Sequence, residues 1–148
     1  SDVCSSDLPF NYTGVGQEPR YLIPKIVKHF QEQAPHIELG NTDVARDFSD
    51  VRDIARTYRL LAEAQPHGET FNLCSEEATT LYTFINMATE ITGHDIEIKV
   101  NPEFVRANEV KTLRGCGKKL GSATGRSRRY AIRDTLEWML QDEVLAGV

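Results

Sequence analysis

Apolar residues recur along this chain in the spacing of helices, broken by short alternating runs. Ile23, Ile26, Val27 and Phe30 fall three and four apart, which predicts a helix from Leu22 to Phe30 with one buried face. Pro24 suits its first turn, where a missing N–H costs nothing. Pro35 ends that segment, and Ile37-Glu38-Leu39 reads as a short strand. Val51 to Ala64 is the strongest helical pattern, with Val51, Ile54, Ala55, Tyr58 and Leu61 on one stripe and Leu60 or Ala62 beside it. Thr70 to Cys74 reads as a buried strand. A helix follows from about Thr79 to Thr92, with Leu81, Phe84, Ile85, Ala88 and Ile91 inward and Gly93 as its stop. Asp95 to Val100 alternates as a half-exposed strand, and Asn101-Pro102 breaks it. The last predicted helix runs from about Ile132 to Glu143, carrying Ile132, Leu136, Trp138, Met139 and Leu140. Strands alternating with helices place the chain in the α/β class.

The stretch between the first strand and the strongest helix is the most polar of these connections. It reads G-N-T-D-V-A-R-D-F-S-D-V-R-D from Gly40 to Asp53. Turn formers open it, Arg46 and Asp47 follow, and Ser49 and Asp50 stand where a helix N-cap would. A loop, a guanidinium and a helix start together suit a multiply charged anion. An Arg46–Asp47 surface pair before an ordinary capped helix is the plainer alternative.

At 148 residues the chain is the size of one domain. Its 40% hydrophobic and 26% charged content is ordinary for a globular protein, and a net charge of -5 argues against general nucleic-acid binding. No apolar run approaches the ~20 residues of a membrane span. The three cysteines, Cys4, Cys74 and Cys116, are not spaced as zinc ligands, so no metal site is expected and a cytoplasmic setting fits. Residues 1–8, S-D-V-C-S-S-D-L, read as a non-native, adapter-derived tail, because patterned sequence begins abruptly at Pro9. The basic cluster Arg126, Arg128, Arg129 and Arg133 reads as a solvated face. Gly115-Cys116-Gly117-Lys118-Lys119 lacks the spacer and the hydroxyl of a phosphate loop.

Five phrases carry a resemblance: P-F-N-Y-T-G-V-G-Q from Pro9, Y-L-I-P-K-I-V from Tyr21, L-G-N-T-D-V-A-R-D-F-S-D-V-R-D from Leu39, F-N-L-C-S from Phe71, and V-R-A-N-E-V-K from Val105. In this order they resemble the C-terminal half of the extended short-chain dehydrogenase/reductases, the nucleotide-sugar epimerases, dehydratases and reductases. The resemblance covers Pro9 to about Leu140 and implies that residues 9–148 form the nucleotide-sugar-binding, C-terminal lobe of such an enzyme, lacking most of its Rossmann half. The R-D-F-S-D-V-R-D phrase favours the branch that reduces GDP-4-dehydro-6-deoxy-D-mannose to GDP-rhamnose with NAD(P)H. A GDP-mannose 4,6-dehydratase, a UDP-sugar epimerase and a noncatalytic nucleotide-sugar-binding module are the alternatives. The resemblance further implies a GDP-sugar as partner and a homodimeric or homotetrameric parent, with neither nucleic acid nor membrane.

Residue by residue, it implies that Asn11 touches the sugar or its phosphate and that Lys25 and Arg46 face the diphosphate. Gly40 and Asn41 would line the base-and-ribose side. Arg106 would meet the diphosphate from the opposite wall, and Glu109 would accept from ribose hydroxyls. The chemistry is coherent, since guanidinium forks fix a diphosphate and a carboxylate suits a vicinal diol. The family's glycine fingerprint and its catalytic tyrosine and lysine are not found here. Tyr21 to Lys25 fits Y-x-x-x-K in letters, but it follows the P-F-N phrase and has Pro24 inside it. The chain by itself is therefore expected to bind no NAD(P) and to be inactive. G-W-x-P, common later in the family, is replaced by Gly125-Arg126-Ser127-Arg128, which puts the packing of that corner in question.

Overall fold

The computed structural model describes residues 6–142. Cys4 and the expected helix end at Glu143 lie outside the described residues. The elements are β1 (Ser6–Pro9), β2 (Asn11–Thr13), α1 (Leu22–Gln31), β3 (His36–Leu39), β4 (Ala45–Asp50), α2 (Val51–Ala64), β5 (Thr70–Leu73), β6 (Ala78–Thr80), α3 (Leu81–Thr92), β7 (Glu97–Val100), β8 (Thr112–Leu113), α4 (Lys118–Thr124) and α5 (Ile132–Gln141), with a 3-10 turn at Pro102–Phe104.

The strands form three small sheets. β1 and β5 pair in parallel, as do β3 and β7. β4 is the hub of the third: its C-terminal half pairs with β2 in parallel, and its N-terminal half pairs with β6 antiparallel and β8 parallel. The architecture is mixed α/β, as the sequence pattern requires.

The main core lies where α1, α3 and α5 meet over β3, and is filled by Ile23, Ile26, Val27, Phe30, Ile37, Phe84, Leu136 and Met139. A second cluster of Ile54, Leu61, Phe71, Leu73 and Leu120 seals α2 and α4 against β5. Gln31 joins α1 to α5 by donating its amide to the carbonyls of Met139, Leu140 and Asp142, which satisfies acceptors that the end of α5 leaves open.

Three expectations change. The stretch before α2 is a strand rather than a loop, because β4 hides its polar residues between three strand partners. On α2 the buried face is Asp53, Ile54, Thr57 and Leu61, while Ala55 and Tyr58 are exposed. Asp53 is drawn inward because its carboxylate accepts from the backbone of Arg129 and Tyr130 at 3.0 and 3.1 Å, which staples α2 to the approach to α5. The glycine-rich patch contains the short helix α4, whose buried anchor is Leu120. Ser6–Leu8, inside the segment read as a tail, pair with β5 in the register of β1, which neither supports nor overturns that reading. A parallel ladder is made of backbone groups and asks little of side-chain identity.

The corner after Gly125 is held by polar contacts. Arg126 donates to the Cys74 carbonyl at 2.9 Å, Arg56 donates to the Ser127 carbonyl, and Arg128 pairs with Glu77 at 2.6 Å. Of the basic cluster, Arg128 and Arg129 are exposed and Arg133 pairs with Glu90, but Arg126 is partly buried and bonded.

Asp50 caps α2 and anchors its start. It accepts from Arg52 N at 2.7 Å, from the Arg52 guanidinium at 2.9 and 2.7 Å, and from Thr135 Oγ1 at 2.7 Å. The Arg52 guanidinium lies 3.8 and 3.9 Å from the ring centres of Tyr130 and Trp138, so it is sandwiched between two aromatic faces. Burial pushes the Asp50 carboxyl up, but the hydrogen bonds from Arg52 and Thr135 outweigh burial, and its pKa lies below the ordinary value.

A depressed carboxyl stabilises the fold above its unfolded pKa of about 3.9, and that contribution is lost as pH falls through the lower folded value. Asp50→Asn is therefore expected to cost about 1–3 kcal/mol at neutral pH and to flatten the stability loss on acidification below about pH 4. Urea midpoints of both proteins across that range measure this. Parallel acid profiles would mean that Asp50 does not carry the effect.

Candidate functional site

One cavity of about 1400 Å³ opens between α1, the start of β2, the front of β4 and the loop after β7. Each surrounding element contributes for a local reason. α1 turns its apolar stripe to the core, which leaves Lys25 and Lys28 facing the opening. β4 alternates, so Asp47 and Ser49 are buried while Arg46 and Phe48 line the cavity. The loop after β7 folds back because Asn108 takes a left-handed φ of 61°, a conformation that asparagine tolerates.

All seven residues singled out in the sequence, Asn11, Lys25, Gly40, Asn41, Arg46, Arg106 and Glu109, line this cavity. Their detailed arrangement differs from the simple picture of three cations around one anion. Arg46 Nη2 donates to Glu109 Oε1 at 2.9 Å and Nη1 to the Ala45 carbonyl at 2.9 Å. The ion pair is shielded, with side-chain exposures of 17% and 21%. Lys25 Nζ donates to the Glu38 carbonyl at 2.6 Å and lies 4.9 Å from the Phe104 ring centre. Asn11 is exposed and contacts the Asp47 carbonyl at 3.4 Å.

Gly40 and Asn41 hold the far wall. A Cβ on Gly40 would sit 2.1 Å from the Phe104 carbonyl oxygen, so only glycine permits this approach. Asn41 reads the backbone of Arg106 at two points: Nδ2 donates to its carbonyl at 3.0 Å and Oδ1 accepts from its N–H at 3.1 Å. Asn41 is thus a positioning residue for Arg106. The Arg106 guanidinium is exposed and, among the described residues, bonded to none. Arg20 pairs with Glu18, Lys28 with Glu32 and Arg46 with Glu109. Lys25 and Arg106 are the cavity's cations without a carboxylate among the described residues.

The helix start suited to an anion is not the expected one. At α2 the chain's own Asp50 takes the Arg52 N–H and places its negative charge at the helix start. At α1, Tyr21 is the N-cap without a side-chain cap bond, no acid lies in the first turn, and Tyr21, Leu22 and Ile23 all line the cavity. An uncapped ten-residue helix aimed at a cavity rimmed by cations suits a diphosphate. Tyr21 lies outside the regular helix, so it and Lys25 do not share a helical face.

Sequence reasoning missed Phe104, Arg20 and Lys28. Lys28 was discoverable, since it lies three residues beyond Lys25 on the same face of α1. Phe104 carried no periodic signal. Among the described residues no group of three or more His, Cys, Asp or Glu is placed to hold a metal, and no helix is long and apolar enough to cross a membrane.

The model of the GDP-mannose 4,6-dehydratase family matches residues 3–139. A GDP-6-deoxy-D-talose 4-dehydrogenase from Aggregatibacter actinomycetemcomitans is 36% identical, over 93% of this chain and 47% of its own length. A GDP-6-deoxy-D-mannose reductase from Pseudomonas aeruginosa is 30% identical, over 90% of this chain and 46% of its own. The structure of RMD from Pseudomonas aeruginosa complexed with NADPH superposes with a TM-score of 0.86 at 28% identity, covering 92% of this chain and 46% of that one. The chain spans about half the length of the curated relatives it matches.

Gly40→Ala is expected to destabilise the chain by about 1–3 kcal/mol, since the clash falls on backbone. Asn41→Ala is expected to cost about 1 kcal/mol by freeing the Arg106 segment. Urea denaturation measures both, and a Gly40→Ala protein as stable as the parent would show that the approach to Phe104 is not tight.

Proposed function

The chain belongs to the GDP-mannose 4,6-dehydratase family, and from that premise we propose that it is the nucleotide-sugar-binding part of a GDP-sugar oxidoreductase. In this reading the complete protein reduces GDP-4-dehydro-6-deoxy-D-mannose to GDP-rhamnose with NAD(P)H. The observation that carries the reading is the cavity that gathers Arg46, Arg106, Lys25 and Glu109 from segments far apart in sequence. The uncapped start of α1 and Arg106, whose guanidinium has no partner among the described residues, take the diphosphate. Glu109, held by Arg46, accepts from the ribose diol, and Asn11 meets the hexose side.

The names of the two relatives both describe redox chemistry on a 6-deoxyhexose carried by GDP. Both names describe hydride exchange between a nicotinamide and a sugar carbon, but talose and mannose are C4 epimers, so the two differ in the face of C4 that exchanges the hydride. This sequence contains no G-x-G-x-x-G phrase, so the nicotinamide seat is not assigned to its residues. Its own residues bind and orient the nucleotide sugar. The proposed setting is the cytoplasm, with the complete protein a homodimer or homotetramer.

Product analysis of the complete gene product with GDP-4-dehydro-6-deoxy-D-mannose and NADPH tests the assignment. Formation of GDP-rhamnose is expected, and dehydration of GDP-mannose instead would move the protein to the dehydratase branch. Arg106→Ala should weaken GDP binding by about 1.5–3 kcal/mol through loss of a charge-assisted contact. Unchanged affinity by calorimetry would remove Arg106 from the site.

A further inference from the structure

We propose that β7 is an interface strand: two copies of the chain join by antiparallel pairing of β7 with β7 about a two-fold axis at Ile98. Among the described residues β7 pairs with β3 on one side and with no strand on the other. Glu97 N donates to the Pro35 carbonyl at 3.1 Å and Asn101 N to the Leu39 carbonyl at 2.8 Å. Alternate residues of a strand turn their backbone groups to a given neighbour, so Glu97, Lys99 and Asn101 serve β3. Ile98 and Val100 turn theirs to the open edge. Such an edge is a template for another strand, and charged side chains are its usual guard.

Here the charges select the partner. Outward-turned residues must meet outward-turned residues, so a two-fold axis passes through a residue of β7 and not between two. An axis at Glu97 sets that glutamate against its own copy, and an axis at Lys99 sets lysine against lysine. An axis at Ile98 instead sets Glu97 against the partner's Lys99, and Lys99 against the partner's Glu97. Both contacts fall at non-hydrogen-bonded positions, where facing Cα atoms are only about 4.5 Å apart. Glu97 and Lys99 are exposed and lie within 3.8 Å of each other along their own strand, so the two copies complete a patch of alternating sign. The other face of the strand is apolar. Ile96 and Ile98 belong to the main core, and Val100, on their face by alternation, is 55% exposed. The same axis sets the partner's Val100 opposite Ile96, which lines a groove of about 540 Å³ with Ile98, Tyr82 and Asn86. Pairing thus covers an apolar side chain that a single chain leaves in water.

Sedimentation velocity of the complete gene product from about 1 to 100 μM tests the assignment, and a doubling of mass with concentration is expected because the strand pair is short. Glu97→Lys and Lys99→Glu should each weaken that step by at least about tenfold, since each sets like charges face to face. An equimolar mixture of the two variants should restore it, because an all-acidic strand then faces an all-basic one, and the double exchange Glu97→Lys with Lys99→Glu should restore it as well. GDP affinity should stay unchanged in every variant, so the interface and the nucleotide-sugar reading fail separately. An assembly state that neither concentration nor Lys99→Glu alters overturns the inference. Weakened variants whose mixture stays dissociated overturn it too, since the charges then act through another contact.

Discussion

Asp47 is the residue on which the arrangement turns. It sits at the middle of β4 with no exposure to solvent. Its carboxylate accepts from Ser75 N and Ser75 Oγ at 2.7 Å each, from Glu76 N at 3.0 Å and from Gly115 N at 3.1 Å. A buried carboxylate without such donors would cost several kcal/mol. Here four donors from two separate loops converge on it, so β4, the turn after β5 and the loop before α4 are fixed to one another. The neighbouring Cys74 registers the same environment: burial and the Asp47 charge push its thiol up to about 11. Because Asp47 faces inward, the residues on either side of it, Arg46 and Phe48, must face the cavity. The site's geometry is thus a consequence of how one acidic side chain is satisfied on the other face of the same strand.

That dependence separates what was legible in the sequence from what was not. α1, α2 and α5 were legible because apolar residues three and four apart fall on one face of a helix, a spacing that an alternating strand does not produce. β4 was not, because A-R-D-F-S-D lacks the apolar alternation of a half-buried strand. Its inward positions are filled by Asp47 and Ser49, and the burial of Asp47 depends on donors remote in sequence. The polar inward face of α2 was hidden for the same reason, since Asp53 is buried by backbone groups at Arg129 and Tyr130. α4 was obscured by Gly121 and two lysines, with one leucine as its anchor. That the seven candidate residues lie around one cavity agrees with the order of five phrases. The site's internal pairing was not legible: Arg46 finds Glu109 and Asn41 finds the Arg106 backbone through contacts distant in sequence, and no local pattern encodes them.

The pairing changes the electrostatics of the cavity. Had Arg46 been free, three cations would have shared one anion. Instead Glu109 neutralises Arg46 within a shielded pair, where a carboxylate left without its partner would be costly. Arg46 acts first as the group that holds Glu109 in place. In the proposed nucleotide-sugar reading, attraction of the diphosphate falls to Arg106, whose backbone is fixed at two points while its guanidinium is exposed, and to the uncapped start of α1. A fixed backbone with an open side-chain head lowers the ordering cost on binding without neutralising the charge beforehand.

The wall opposite α1 follows the same logic. The segment from Asn101 to Lys111 has no long regular element, yet it is tied down along its length. Asn101 N donates to the Leu39 carbonyl at 2.8 Å, Gly40 abuts Phe104, Asn41 clasps Arg106, Glu109 meets Arg46, and Ala45 N donates to the Lys111 carbonyl at 2.7 Å. Each tie runs to the stretch from the end of β3 to the start of β4. Two segments that look like loops in the sequence therefore behave as one wall, and polar side chains that would ordinarily be solvated hold it together. A wall built in this way needs no large apolar core of its own, which frees Phe104 and Val105 to stay exposed rather than to pack inward.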